Sequence, residues 1–296
     1  ENFQYLDMGI FVHILSGRTR MIKADLHTHT NLSDGYYSVK DLIDQGKRMG
    51  LDYMAITDHD TTAGLITAMT YGKRVGLKII PGVEFSTRNY KTGRAVHILC
   101  YYPGDLFAFQ DFLDKTLEIR IEMKLKTARL LEKDFSVQVE DFLKASRDSE
   151  SLYNPHLMLP FFEMGYTDTL IGDFFKEHAS SKSSRYFTIP YPDVYEALDL
   201  IDRYGGVPVI AHPGEYDSLE ITEQLASEGR IKGIEYNHPR NTEHDKKEIL
   251  RIAQAYDLFL TGGTDYHGPY TKTVHPLGSY LCPEYGLKKL LTYARP

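Results

Sequence analysis

The sequence predicts an α/β barrel of about seven strands, interrupted after the fourth by a run of helices. Three observations predict it. Short apolar segments alternate with helical ones from Met21 onward, the pattern of βαβ units and a parallel sheet. The alternation stops between about residues 103 and 191, where helical periods continue without strand signals, and then resumes. Histidines and carboxylates recur where the strands are expected to end, the face on which barrel enzymes assemble their active sites.

Strands are expected over residues 22–26, 53–57, 77–83 and 95–102. The helices between them cover 39–49, closed by Gly50, and 63–75, closed by Gly76; a glycine there can take the left-handed conformation that ends a helix. The interruption carries helical periods at 107–133, 139–145, 155–164 and 169–178. Beyond it, helices at 194–204, 221–228 and 243–256 alternate with strands at 207–211, 233–236 and 258–261. The organisation is therefore an N-terminal extension (1–20), a first barrel part (21–103), an inserted helical cap domain (104–190) and a second barrel part (191–296).

A chain of 296 residues with 42% hydrophobic and 25% charged side chains can bury a substantial core, which excludes disordered and fibrous classes. Its net charge of −7 opposes long-range attraction to a nucleic-acid duplex or an anionic membrane. An anionic substrate then needs local positive charge, which metal ions can supply. No run reaches the ~18 apolar residues of a membrane span. The apolar stretch at 8–15 lacks the basic flank and cleavage site of a secretory signal. Cys100 and Cys282, the two cysteines, are expected to be reduced core residues, and a cytoplasmic location follows from these features.

His27 and His29 follow the first strand in Asp-Leu-His-Thr-His-Thr, and the period of two along a strand turns both rings to one side. Asp34 lies in the adjoining Ser-Asp-Gly loop. His59 ends the second strand, Glu84 the third, His97 sits in the fourth, and His212 ends the fifth in Ala-His-Pro. Asp265 and His267 follow the last strand in Gly-Gly-Thr-Asp-Tyr-His. One histidine near a loop has many ordinary roles. Nine such residues at successive strand ends point to metal. Imidazole and carboxylate without thiolate suit Zn, Mn, Fe or Co, and nine ligands exceed the needs of one ion. A cluster of two or three divalent ions is expected, bridged by a carboxylate such as Glu84.

The combined motifs DLHTHT, SDG, TDHD, GVE, the VHI histidine, AHP and GGTDYHG resemble those of the PHP (polymerase and histidinol phosphatase) superfamily over nearly the whole chain from Met21. The resemblance implies a distorted seven-stranded (β/α) TIM-like barrel and a metal-dependent phosphoesterase using a metal-activated hydroxide. It implies one ion on His27, His29, Glu84 and Asp265, a second sharing Glu84 with His97 and His212, and a third on Asp34, His59 and His267. Glu84, Asp34 and His267 are the expected catalytic residues. An aspartate at position 34 and the inserted helices resemble the branch acting on nucleoside 3′,5′-bisphosphates and short oligonucleotides. In that branch two cap arginines contact substrate phosphate; Arg120 matches the first, while the second position reads Met123, beside Lys124. An Arg-x-His motif reads Asn154-Pro155-His156 here, so Arg120 and His156 are the candidate substrate contacts. Substitution of that arginine weakens the case for bisphosphate activity, because an amide does not replace a bidentate guanidinium.

The expected function is hydrolysis of phosphate esters of small nucleotides, as a nucleoside bisphosphate phosphatase or a 5′-3′ exonuclease on short oligonucleotides. The alternatives are a histidinol-phosphate phosphatase and a non-catalytic metal-binding module of the polymerase kind, whose ligands are usually depleted. The expected partner is a small phosphorylated substrate, with no duplex, membrane or obligate protein partner. His238 is expected to orient a ligand; His13, His178, His244 and His275 are expected at the surface.

Overall fold

The computed structural model describes residues 20–270 and 275–294; the expected N-terminal extension, except for its last residue, and His13 lie outside them. The first half contains β1 (Ala24–Asp25), α1 (Val39–Arg48), β2 (Tyr53–Ile56), α2 (Leu65–Val75), β3 (Lys78–Asn89) and β4 (Arg94–Tyr101). Four helices follow without a strand: α3 (Leu106–Asp134), α4 (Val139–Ala145), α5 (Asn154–Glu163) and α6 (Asp173–His178). The chain then runs through α7 (Val194–Tyr204), β5 (Val207–Ile210), α8 (Leu219–Ser227), β6 (Gly233–Asn237), α9 (Glu243–Ala255), β7 (Phe259–Gly262) and α10 (Glu284–Leu291).

The seven strands pair in sequence order from β1 to β7. The ends of the sheet meet, so the barrel is nearly closed: Leu26 N donates to Gly262 O at 3.1 Å and His29 N to Tyr266 O at 3.0 Å. Alternation along the strands separates two cores. Ala55, Leu99, Tyr101 and Val209 belong to one cluster with Ala24 and Leu26. Their neighbours Met54, Ile56, Ile98, Cys100 and Ile210 belong to the cluster that packs under the surrounding helices. That is the period of two expected where both faces of a sheet are covered. Cys100 and Cys282 are buried free thiols, as expected.

Two features depart from the sequence expectation. β3 does not stop at residue 83 but continues to Asn89, so Glu84 lies within the strand and not at its end. β4 is antiparallel to both β3 and β5, whereas a parallel sheet was expected. The cause is the four-residue connection 90–93, too short for a crossover, which forces a hairpin. Gly93 closes it with φ of 72°, its N–H bonded to Asn89 O at 2.7 Å. Because β4 runs backward, His97 comes from the first half of its strand and not from a carboxyl end.

α3 joins the barrel to the other helices. Asp105 caps it, accepting from Phe107 N and Ala108 N at 3.1 Å. Its Phe109 and Leu113 pack in the barrel–helix core. About four to six turns later, Ala128 and Leu131 pack in a third core with Phe142, Leu157, Met158 and Phe161. His178 is not a plain surface residue, because its ring packs against Phe174 and Phe135 at 4.4 and 5.1 Å. His244 is exposed and His275 half-buried.

The seam between β7 and β1 explains the second glycine of Gly262-Gly263. A Cβ on Gly263 would run into the backbone of His27, with its Cα at 2.8 Å. Gly263→Ala is therefore expected to push the seam apart and destabilise the protein by about 1–3 kcal/mol, the usual cost of overpacking. Urea denaturation measures it; an unchanged midpoint would show that the seam yields without strain.

Candidate metal centre and active site

The fully buried Glu84 carboxylate is the centre of the site. Its Oε2 lies 3.0 Å from His27 Nε2, 3.2 Å from His29 Nε2 and 3.3 Å from His59 Nδ1. Its Oε1 lies 2.7 Å from His97 Nδ1 and 2.9 Å from His212 Nε2. Asp265 Oδ1 approaches His29 Nε2 at 3.0 Å and His27 Nε2 at 3.4 Å. Asp34 Oδ1 lies 3.1 Å from His267 Nε2, and its Oδ2 3.9 Å from His59 Nε2. All nine residues singled out in the sequence thus come together. His27, His29, Glu84 and Asp265 form one group able to hold an ion; His29, Asp34, His59 and His267 form another; His59, Glu84 and His97 form a third.

The donor set fits divalent cations. Five imidazole nitrogens face two carboxylate oxygens, and where an imidazole is neutral its lone pair faces theirs unless a proton or cation lies between. Buried His29 Nδ1 and Nε2, Asp34 Oδ1, His59 Nδ1 and His212 Nδ1 make no hydrogen bond, an expensive state for polar atoms. Burial alone raises the Glu84 pKa, yet His59, His27 and His97 hold it well below the usual carboxylate range. Burial also pushes His59 down to about 3, despite Glu84 and Asp34. Burial disfavours the charged form of His27, His29, His212 and His267 as well, yet the carboxylates beside them hold all four above the usual imidazole range, and a divalent ion binding there would displace those protons.

A second layer of carboxylates aims the first. Glu235, on β6, contacts His27 Nδ1 with both oxygens at 3.1 and 3.2 Å, and Oε2 accepts from His212 N at 2.9 Å. Asp58 accepts from Thr30 N, Thr30 Oγ1 and Ser33 Oγ, each at 2.7 Å, and so braces the loop carrying Asp34. Asp25 accepts from Thr264 N at 2.9 Å and Gly278 N at 2.8 Å, bracing the loop carrying Asp265. His238 is fully buried, with Nε2 3.5 Å from Asp265 Oδ2. Sequence reasoning placed His238 but missed Glu235, Asp58 and Asp25. Glu235 had a signal: a carboxylate in the otherwise apolar Gly-Ile-Glu-Tyr strand is out of place unless paired.

The site opens to a cavity of about 190 Å³. Asp34, His59, Glu84, His97, His212, Asp265 and His267 contribute to its lining, and Asn154, Pro155 and Ile171 reach it from the α3–α6 segment. Arg120 and His156 do not line it. The Arg120 guanidinium is buried, paired with Asp60, bonded to Ser86 Oγ at 3.2 Å and to Tyr191 Oη at 3.1 Å. It also lies 4.5 Å from the Tyr153 ring centroid. His156 Nδ1 accepts from Tyr153 N at 3.1 Å, completing the first turn of α5. Lys124 is buried beside Arg120, and burial, aided by that like charge, pushes its pKa down to about 7. Tyr153 Oη in turn donates to His59 O at 2.8 Å, so these residues link the helical segment to the site from beneath.

Two outcomes follow from this geometry. Glu235→Gln keeps size but removes the charge that orients His27 and raises its basicity; metal affinity or kcat should fall about tenfold to a hundredfold. Titration with Mn²⁺ and steady-state kinetics read this, and wild-type values for both would refute the bracing role. Arg120→Ala leaves Asp60 buried without its partner, which should cost about 3–5 kcal/mol in denaturant unfolding. A pure substrate contact would leave stability untouched, so a wild-type midpoint would show that Asp60 does not depend on Arg120.

The comparisons with known proteins agree with this geometry. The PHP domain family model matches residues 25–151. The chain is 34% identical to a phosphoribosyl 1,2-cyclic phosphate 1,2-diphosphodiesterase from Eggerthella lenta, covering 85% of this chain and 96% of that one. It is 29% identical to a 5′-3′ exoribonuclease from Haemophilus influenzae (83% and 90% covered). A 3′,5′-nucleoside bisphosphate phosphatase from Chromobacterium violaceum is 26% identical (84% and 88% covered). Among solved structures, a protein from Bifidobacterium adolescentis proposed to be a metal-dependent phosphoesterase superposes with a TM-score of 0.85 at 27% identity, covering 93% of this chain and 97% of that one. The barrel, the buried cluster of imidazoles and carboxylates and these relatives have one reading: the chain belongs to the PHP family and is a metal-dependent phosphoesterase.

Proposed function

We propose that the protein hydrolyses a phosphate ester on a small phosphorylated ribose, with a five-membered cyclic phosphate of the phosphoribosyl 1,2-cyclic phosphate kind as the first choice. The observation that carries this is the small cavity with the carboxylate–imidazole cluster in its lining, in a chain 34% identical to an enzyme of that name over 96% of its length. With its guanidinium paired to Asp60, Arg120 is not free to hold the second phosphate of either kind of substrate. A nucleoside bisphosphate or short oligonucleotide is the second reading, favoured by Tyr216 and Tyr270 in the cavity lining, whose rings could stack on a base.

In this reading two or three divalent ions, Mn, Fe or Zn, would be held by the three groups built on His27, His29, Asp34, His59, Glu84, His97, Asp265 and His267, with His212 beside Glu84 Oε1. Such ions polarise a phosphoryl oxygen and lower the pKa of a water nucleophile. The chain's own residues do the rest. Glu84 holds two groups in register, with one oxygen toward His27, His29 and His59 and the other toward His97 and His212. Asp34 and His267 also line the cavity, so the ion they would share with His29 and His59 would face the substrate directly. Asn154, Pro155 and Ile171 add to the lining from the helical segment, and a cavity of about 190 Å³ suits a small ester better than a duplex.

The test is a substrate panel with metal-reconstituted protein: phosphoribosyl 1,2-cyclic phosphate, adenosine 3′,5′-bisphosphate and a short 5′-phosphorylated RNA. The cyclic phosphate is expected to give the highest kcat/KM, with its phosphorus NMR resonance replaced by that of a monoester. Chelation should abolish turnover of every substrate, and Mn²⁺ should restore it. A tenfold preference for the bisphosphate or the RNA would move the assignment to the second reading.

A further inference from the structure

Among the described residues lining the cavity, Arg240 is the one lysine or arginine. Four carboxylates, Asp34, Glu84, Glu215 and Asp265, line it with Arg240. Three of these belong to the ligand groups described above; Glu215, which could join His212 and Asp265 in a further group through Oε2, keeps Oε1 on the wall toward Arg240. Arg240 lies in the loop between β6 and α9, and its backbone is fixed. Its N–H donates to His238 Nδ1 at 3.1 Å, and Asn241 N donates to His238 O at 3.2 Å. The Asn241 amide donates to Glu235 O at 2.9 Å and accepts from Gly214 N at 3.1 Å, tying this loop to the one after β5. A rigid stem therefore carries the arginine, rooted in the same residues that brace the candidate ligands.

The head, by contrast, is uncommitted. The nearest carboxylate oxygen, Glu215 Oε1, stands 3.9 Å from Nε, beyond hydrogen-bond length, and the side chain is 63% exposed. Arginine is the side chain suited to two parallel hydrogen bonds with a phosphate, and the fork needs free N–H groups. Arg120, the arginine picked out by sequence, has its fork occupied by Asp60, Ser86 and Tyr191.

We propose that Arg240 determines specificity by gripping the non-reacting phosphate of a substrate that carries two phosphoryl groups, with Glu215 as the nearby carboxylate that this phosphate outcompetes. This deepens the phosphorylated-ribose reading and rests on it for the presence of a second anion. The contact positions the ester and takes no part in bond breaking. A substrate with a single phosphate cannot use it.

The experiment compares kcat/KM for a two-anion substrate with that for p-nitrophenyl phosphate in wild type, Arg240→Ala and Arg240→Lys. Because any residue but proline keeps the backbone N–H to His238, damage to the site would affect both substrates and cancel in the ratio. The ratio should fall about tenfold to a hundredfold in Arg240→Ala, the range for losing a charge-assisted contact, mainly through KM. It should recover in part in Arg240→Lys, which keeps the charge without the fork. Glu215→Gln, which removes the competing carboxylate, should raise the ratio above wild type. An unchanged ratio in Arg240→Ala overturns the proposal, whatever happens to the absolute rates. The two-anion substrate is whichever of the cyclic phosphate and the bisphosphate the wild type hydrolyses, so a wrong choice of ribose ester shows in the wild-type rates and leaves the Arg240 ratio readable.

Discussion

A carboxylate buried at the heart of a barrel is the constraint from which the rest follows. Glu84 is removed from water, and an ionised side chain in that position is tolerated only with charge or strong donors around it. Five imidazoles surround it, drawn from β1's exit, the loop after β2, β4 and the loop after β5. Those imidazoles in turn need their far nitrogens fixed, which is the work of Glu235 toward His27. Each layer thus exists to make the one inside it tolerable. The layering also explains why three non-glycine residues here, Asp60, His212 and Asp265, hold positive φ: the surroundings over-determine their conformations.

Much of this was legible in the sequence because it depends on local rules. Strand periodicity placed all seven strands, and the H-x-H spacing after β1 did put both rings into one cluster. What was not legible depends on closure. The direction of β4 follows from a four-residue connection whose brevity carries more information than its composition. The reach of β3 past Glu84 follows from pairing with β4, since its polar Ser86, Thr87 and Asn89 do not read as a strand core. Arg120 and Arg240 show the same limit for side chains. Arg120 lies between Ile119 and Ile121 and Arg240 in a polar loop, and only the fold shows that Asp60 takes the first while the second faces the cavity.

The helical segment contributes through contacts with the barrel's loops as much as through its own packing. Ser149 Oγ donates to Ser33 O at 2.7 Å, and Glu150 N to Leu32 O at 2.9 Å, beside the loop that carries Asp34. Tyr153 reaches the carbonyl of His59. The connection from α4 to α5 thereby braces the placement of two candidate ligands that neither helix supplies. This separates phosphate handling at the cavity wall, on the β6–α9 loop, from loop bracing beneath it, on α3 and the start of α5.

The near-closure of the barrel has a consequence for how the protein reaches its native state. Asp25 and Thr264, bonded to each other at the seam, are 239 residues apart in the chain. Between them lie the other segments that supply candidate ligands; His59, Glu84 and His97 come from the first half of the chain, but the groups that need Asp265 or His267 wait for the segment after β7. Contacts of such separation form late, because the loop entropy of closing them must be met before they return any stability. The groups on His27, His29, Glu84 and Asp265 and on His29, Asp34, His59 and His267 therefore close together with the seam, so filling of the whole cluster would report completion of the barrel.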